Sequence, residues 1–277
     1  MTGTSMVSRM RTGDIRSVPL AFWPLALLTV GALALEIAER GSTIELTAIP
    51  SVLSFVAPLA FATVVAVVAP THGRLVTGAV LVAVPAALIT IRHLSELPWL
   101  HLPAVSDLAS LAVGFGALAG LIGKFIIGRE IGGIRTQTGR LAAAVGLAIF
   151  AVSAVSRALT FSTAFPPGFE PQRLLAALPG FVLGPTIYLG WAYLLGASAD
   201  ARKKWLAAGS AVILALITLE LLITILNPFG ANTHFGVALF LTGSVHLLAW
   251  SALIVGALRE LPRRSASNPA GDPADRT

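Results

Sequence analysis

The fold class this sequence predicts is all-α: a polytopic transmembrane helix bundle of about eight spans with N- and C-termini in the cytoplasm. Three observations predict it. Charged residues make up only 12% of the 277, and hydrophobic residues 56%, whereas soluble domains carry about 25% charge. A soluble chain of this length needs a charged surface, and here there are too few charges to make one, so the solvent for most of the chain is lipid. The apolar residues form eight continuous runs, and the basic residues gather in the alternate connectors between those runs.

The runs fall at 18–38, 48–69, 74–92, 105–127, 141–161, 174–196, 205–227 and 234–258. Each matches the ~20 residues that span ~30 Å of hydrocarbon at a rise of about 1.5 Å per residue. They are continuously apolar, whereas a membrane β-barrel would alternate apolar and polar residues in segments of about 10. Ahead of the first run stand Arg9, Arg11 and Arg16, and Ala32-Leu33-Ala34 within it resembles a signal-peptidase site. The run is longer than the about 7–15 residues of a signal-peptide core, so a retained helix is expected. Residues 1–17 then read as a cytoplasmic basic segment, 18–261 as one eight-helix domain, and 262–277, rich in Ser, Pro, Asn, Gly and Asp, as a disordered cytoplasmic tail. No appended soluble catalytic domain is expected.

Orientation follows from lysine and arginine. With the N-terminus inside, the cytoplasmic set is Arg9, Arg11, Arg16, Arg74, Lys124, Arg129, Arg135, Arg140, Arg202, Lys203, Lys204, Arg259, Arg263, Arg264 and Arg276, fifteen of the 19. Arg40, Arg92, Arg157 and Arg173 fall outside. The bias holds at every cytoplasmic connector, as the positive-inside rule requires. It also explains the pI of about 10.7 without nucleic acid, because the cations are dispersed between apolar runs. Trp23, Trp205 and Trp250 are expected as anchors at the cytoplasmic interface, with Trp191 and Tyr193 a little deeper.

Small residues at close spacing, Gly116, Gly120 and Gly123 in the fourth run and Gly180 and Gly184 in the sixth, predict close helix approach. Bundle packing accounts for them more simply than a dimer seam does. Pro58, Pro85 and Pro185 lie inside runs two, three and six, and each removes a backbone donor. Gly184-Pro185 is the strongest candidate for a break. Breaks of this kind hold ions or substrates in transporters; the simpler expectation is a packed kink whose freed groups are satisfied by neighbours.

Ionisable groups at membrane depth mark a cavity or a pair. Glu220 lies about two-thirds of the way outward along the seventh run, with Thr224 and Asn227 on the same helix face. His246 lies near the middle of the eighth, with Thr242 and Trp250 on its face. Arg157, Arg92 and Glu36 end runs five, three and one. The expected site is therefore an outward-facing polar cavity lined by Glu36, Arg92, Arg157, Glu220, Thr224, Asn227 and His246. The competing expectation is a structural Glu220–Arg157 bridge, with Arg92 and Glu36 snorkelling to the interface.

No metal or other cofactor is expected. His93, Glu96, His101, Asp107 and His234 are external, but their spacing fits no metal motif. The chain has no cysteine, which removes thiolate sites and cysteine nucleophiles. Gly128-Arg129-Glu130-Ile131-Gly132-Gly133 is glycine-rich but has no βαβ context, so no ATP binding by this chain is expected. The segments around Trp99 and Phe165-Pro166-Pro167-Gly168-Phe169 read as external connectors, with a lid role as the alternative.

The expected function is transport of a small solute or lipid by a multi-pass protein of the cell membrane, through that cavity. One alternative is a non-catalytic assembly or sensor subunit. Another is an intramembrane enzyme acting on a lipid or prenyl substrate, with His246 or Glu220 as acid or base. The expected partners are the lipid bilayer and either a membrane-protein partner or a second copy of the chain, with no nucleic acid.

Overall fold

A computed structural model describes residues 49–95, 103–160, 171–226 and 235–261. The described residues form helices and turns, without strands. In chain order the helices are α1 (Ile49–Val68), α2 (Gly73–Ser95), α3 (Pro103–Glu130), α4 (Gln137–Leu159), α5 (Pro171–Leu183), α6 (Thr186–Asp200), α7 (Lys204–Leu226) and α8 (Phe235–Glu260). They overlie the second to eighth expected runs, with α5 and α6 sharing the sixth. The run at 18–38 lies outside the described residues, as do Trp23 and both terminal segments. Residues 171–173, expected in a connector, open α5 instead.

Five stretches are helical, long and apolar enough to cross a membrane: Ala104–Glu130, Gln137–Leu159, Ala177–Asp200, Lys204–Leu226 and Thr242–Glu260. Val56–Val68 and Gly73–Ile89 are shorter apolar helices. The chain is thus a helical membrane protein in composition and in element length.

The helices α1, α2, α3, α6, α7 and α8 pack as a closed ring, each against the next and α8 back against α1. Outside the ring, α4 packs on α6 and α5 packs on α3. The α2–α3 seam is close. A methyl at Gly123 would stand 2.5 Å from the Gly78 carbonyl oxygen, and the small residues at 116 and 120 face Pro85. The glycine stripe of α3 is therefore filled by α2 of the same chain. On α4 only Gly139, Gly146 and Ser153 are buried, a repeat of seven that keeps one narrow stripe against α6. Its other faces present Leu141, Val145, Leu147, Val152, Val155 and Leu159 outward, as a helix on the lipid perimeter does.

Inside the ring an aromatic chain links its helices. Phe61 of α1 lies 6.0 Å from Trp250 of α8, and Trp250 meets Trp191 of α6 edge-on at 5.6 Å. Trp191 and Trp250 are 3% and 5% exposed, so both are core residues rather than interface anchors. Their large apolar area outweighs the indole N–H that drew them toward the headgroup layer in the sequence reading. Trp205, at 45% exposed, stays at the surface.

One end of the bundle gathers most of the charged side chains. There the glycine-rich segment that closes α3 is a helix stop. Gly132 and Gly133 have φ of +130° and +67°, and the Gly133 N–H donates to the Gly128 carbonyl at 2.8 Å, a closure that requires left-handed backbone. Two carboxylates then cap neighbouring helices. Asp200, ending α6, accepts from the Arg135 and Thr136 N–H groups at 2.6 and 2.7 Å and from the Thr136 hydroxyl, at the start of α4. Glu260, ending α8, accepts from the Trp205 and Leu206 N–H groups at 2.9 and 3.2 Å, at the start of α7. Arg74 pairs with Glu130 at 3.6 Å between α2 and α3. These contacts satisfy N-terminal donors that a helix cannot satisfy itself.

Candidate functional site

The sixth run is divided where the sequence predicts a break. Pro185 has no N–H, so the Phe181 carbonyl, its i−4 acceptor, loses its helical donor. Past this point the ladder tightens: the Ile187 and Tyr188 N–H groups donate to Gly184 and Pro185, three residues back. The Leu183 carbonyl is taken by the Thr186 hydroxyl at 2.6 Å. The Phe181 carbonyl is taken by Arg157, which reaches across from α4. Its Nη1 donates to Phe181 at 3.2 Å and to Gly180 at 3.1 Å. The freed acceptor is thus satisfied by a charged neighbour, as the simpler expectation for this kink requires.

Two further contacts fix the guanidinium. Its carbon lies 5.8 Å from the centre of the Phe181 ring. A methyl at Gly184 would stand 2.8 Å from Nη1, so the glycine leaves the space the cation fills. Arg157 is half-buried and lines a groove of about 480 Å³ with Ala154, Ala158, Phe181, Val182 and Pro185. The groove runs between α4 and the α5–α6 break, and Val182 on its wall is 59% exposed.

A second intramembrane cation escaped the sequence reading, which treated it as an orienting charge. Lys124 of α3 is 4% exposed. Its ammonium donates to the Gly120 carbonyl at 3.1 Å and lies 4.5 Å over the Trp191 ring. Gly190 of α6 makes room for its stem: a methyl there would stand 2.9 Å from Cδ. The signal was present in the sequence. Lys124 sits within Leu121-Ile122-Gly123-Lys124-Phe125-Ile126-Ile127, an apolar run and not a connector.

The other expected cavity residues that are described do not line that groove. Glu36 and Asn227 lie outside the described residues, as do Glu96, His101 and His234. Arg92 is exposed near the far end of α2. Glu220 and Thr224 are on an exposed face of α7, where the Thr224 hydroxyl donates to the Glu220 backbone carbonyl at 2.8 Å. His246 is half-buried on α8, which packs beside α7 as expected. Among the described residues no ion pair within 4.0 Å joins Glu220 to Arg157 or to His246. No group of three or more His, Asp or Glu capable of holding a metal occurs among the described residues. Of the expected site residues, only Arg157 lines the described groove.

Comparison with protein-family models, with curated proteins and with solved structures returns no match.

Proposed function

We propose that this chain is an eight-span protein of the cell membrane, with both termini cytoplasmic, that transports a small solute or lipid. The bundle end bearing Arg74, Arg135, Arg202 and Lys203 is then the cytoplasmic one, and the Arg157 groove opens toward the outside. One observation carries the reading: the divided sixth span holds a cation at its break, beside an open groove. Transporters place ligands at helices broken within the membrane; here Arg157 holds the freed carbonyl, so a ligand in the groove would meet the guanidinium and not the backbone. The reading narrows the ligand to an anion, because neither Arg157 nor Lys124 has a carboxylate within 4.0 Å among the described residues.

The chain's lack of cysteine makes the topology directly testable. A single cysteine at Thr136 should react with a membrane-impermeant maleimide only after the cytoplasmic side is opened. One at Ala158 should react from outside in intact cells. The reverse pattern overturns the orientation. For transport, flux of a fluorescent anionic lipid or solute in proteoliposomes should exceed that of protein-free vesicles, and equal rates reject the reading.

A second reading has its own observation. Glu220 stands on an α7 face with Leu219, Leu222, Ile223 and Leu226 exposed around it. A carboxylate on such a face is costly in lipid, which favours an assembly partner covering it. Retention of one stoichiometric membrane partner through purification, lost in Glu220→Leu, supports that reading.

A further inference from the structure

We propose that Arg157 and the groove beside it bind the head-group phosphate of an anionic phospholipid, with an acyl chain lying along the groove. The inference rests on the divided span being a ligand site, but not on the ligand being moved.

The guanidinium has five N–H donors. Two carbonyls engage Nη1, while Nε and Nη2 donate to no atom of the described residues. The Nε–Nη2 edge is the fork that grips two oxygens of one phosphate. Among the described residues no carboxylate lies within 4.0 Å of the charge. A helix in lipid carries such a charge at low cost only when an anion or the head-group layer meets it.

Depth and wall chemistry choose a lipid over a dissolved anion. Arg157 is two residues from the end of α4 at Leu159, about 3 Å along the axis. In the proposed orientation this end of α4 meets the outer leaflet, where the long arginine side chain reaches the head-group layer. Apart from Arg157, the groove is lined by Ala154, Ala158, Phe181, Val182 and Pro185. These offer no second side-chain donor to a small hydrated anion, and they match a hydrocarbon chain. The rim is open to the perimeter, where Val155, Leu159 and Leu175 are 58%, 78% and 63% exposed, so a lipid enters sideways without crossing the ring.

The test is binding of phosphatidylglycerol and phosphatidylcholine to the purified full-length protein in mixed micelles, read by native mass spectrometry. The proposal expects phosphatidylglycerol to be retained over phosphatidylcholine. It expects Arg157→Gln to weaken that retention by about tenfold, the scale of one charge-assisted contact, with Arg157→Lys intermediate. Val182→Trp fills the groove from an exposed wall and leaves the guanidinium intact. It should abolish the preference while keeping the wild-type melting temperature, and it decides the matter if Arg157→Gln does not fold. Equal retention of both lipids, retention unchanged in Val182→Trp, or complete displacement by millimolar inorganic phosphate would each overturn the proposal. Lipid preference without flux in proteoliposomes upholds this site and removes transport. Flux without lipid preference does the opposite.

Discussion

Lys124 and Arg157 carry the same charge inside the same bundle, and the fold treats them in opposite ways. Lys124 is closed in: one carbonyl, one indole face and the backbone of Gly190 surround it, and 4% of its surface is exposed. Arg157 is half-buried, braces a broken helix through Nη1, and lines an open groove. Among the described residues neither cation has a carboxylate within 4.0 Å, and a lone cation is expensive at membrane depth, so each needs a compensating reason. For Lys124 the reason is packing, because its flexible stem fills the α3–α6 seam and its ammonium lies over Trp191. For Arg157 it is the orphan carbonyl that Pro185 creates. The difference teaches that burial alone does not identify a site. The distinguishing features are unspent donors and adjacent space.

The comparison breaks most readily at Lys124. Lys124→Glu should cost more than about 3 kcal/mol, since it buries a carboxylate against the Trp191 face and the Gly120 carbonyl without a partner. Lys124→Met, which keeps the stem and removes the charge, should be neutral or stabilising in thermal unfolding. A Lys124→Met variant that folds normally but loses activity would give Lys124 the role assigned here to Arg157.

Next in size is Gly184→Ala, which drives a methyl to 2.5 Å from the Gly180 carbonyl oxygen and 2.8 Å from the guanidinium and should destabilise by about 1–3 kcal/mol. A melting temperature equal to wild type would mean that neither group closes on Gly184 in this way. Arg157→Gln should cost about 1–2 kcal/mol through the lost charge-assisted bonds to the Gly180 and Phe181 carbonyls. Pro185→Ala restores a donor for the Phe181 carbonyl, so the double variant should recover about 1 kcal/mol relative to additivity. Strict additivity would separate the arginine from the break. The smallest expected effect lies far from both cations. Glu260→Ala removes the cap on α7 and should cost about 1 kcal/mol, leaving lipid retention at Arg157 unchanged.

Much of this architecture is legible along the chain because it depends on local pattern. The seven runs from 48 onward coincide with helices to within a few residues, and Gly184-Pro185 names its own break, since a missing N–H is a property of the residue. What escapes depends on neighbours. Trp250 reads as an interface anchor from its place toward the cytoplasmic end of its run, yet Phe61 and Trp191 pack against it. Lys124 counts as an orienting charge because it stands near the end of a run, although the apolar residues on both sides already argued for burial. The caps by Asp200 and Glu260 join residues more than 50 positions apart, beyond any local signal. Arg157 was picked out for its depth, but its partners were expected among acidic side chains. They are backbone carbonyls, which no residue type announces.

The most direct test of the central claim, that Arg157 meets a ligand while Lys124 only packs, is flux of fluorescent phosphatidylglycerol in proteoliposomes. It would be measured side by side for the wild type, Arg157→Gln and Lys124→Met. The account predicts that the wild type and Lys124→Met move the lipid at similar rates and that Arg157→Gln falls to the level of protein-free vesicles. Normal flux in Arg157→Gln with loss in Lys124→Met would contradict it.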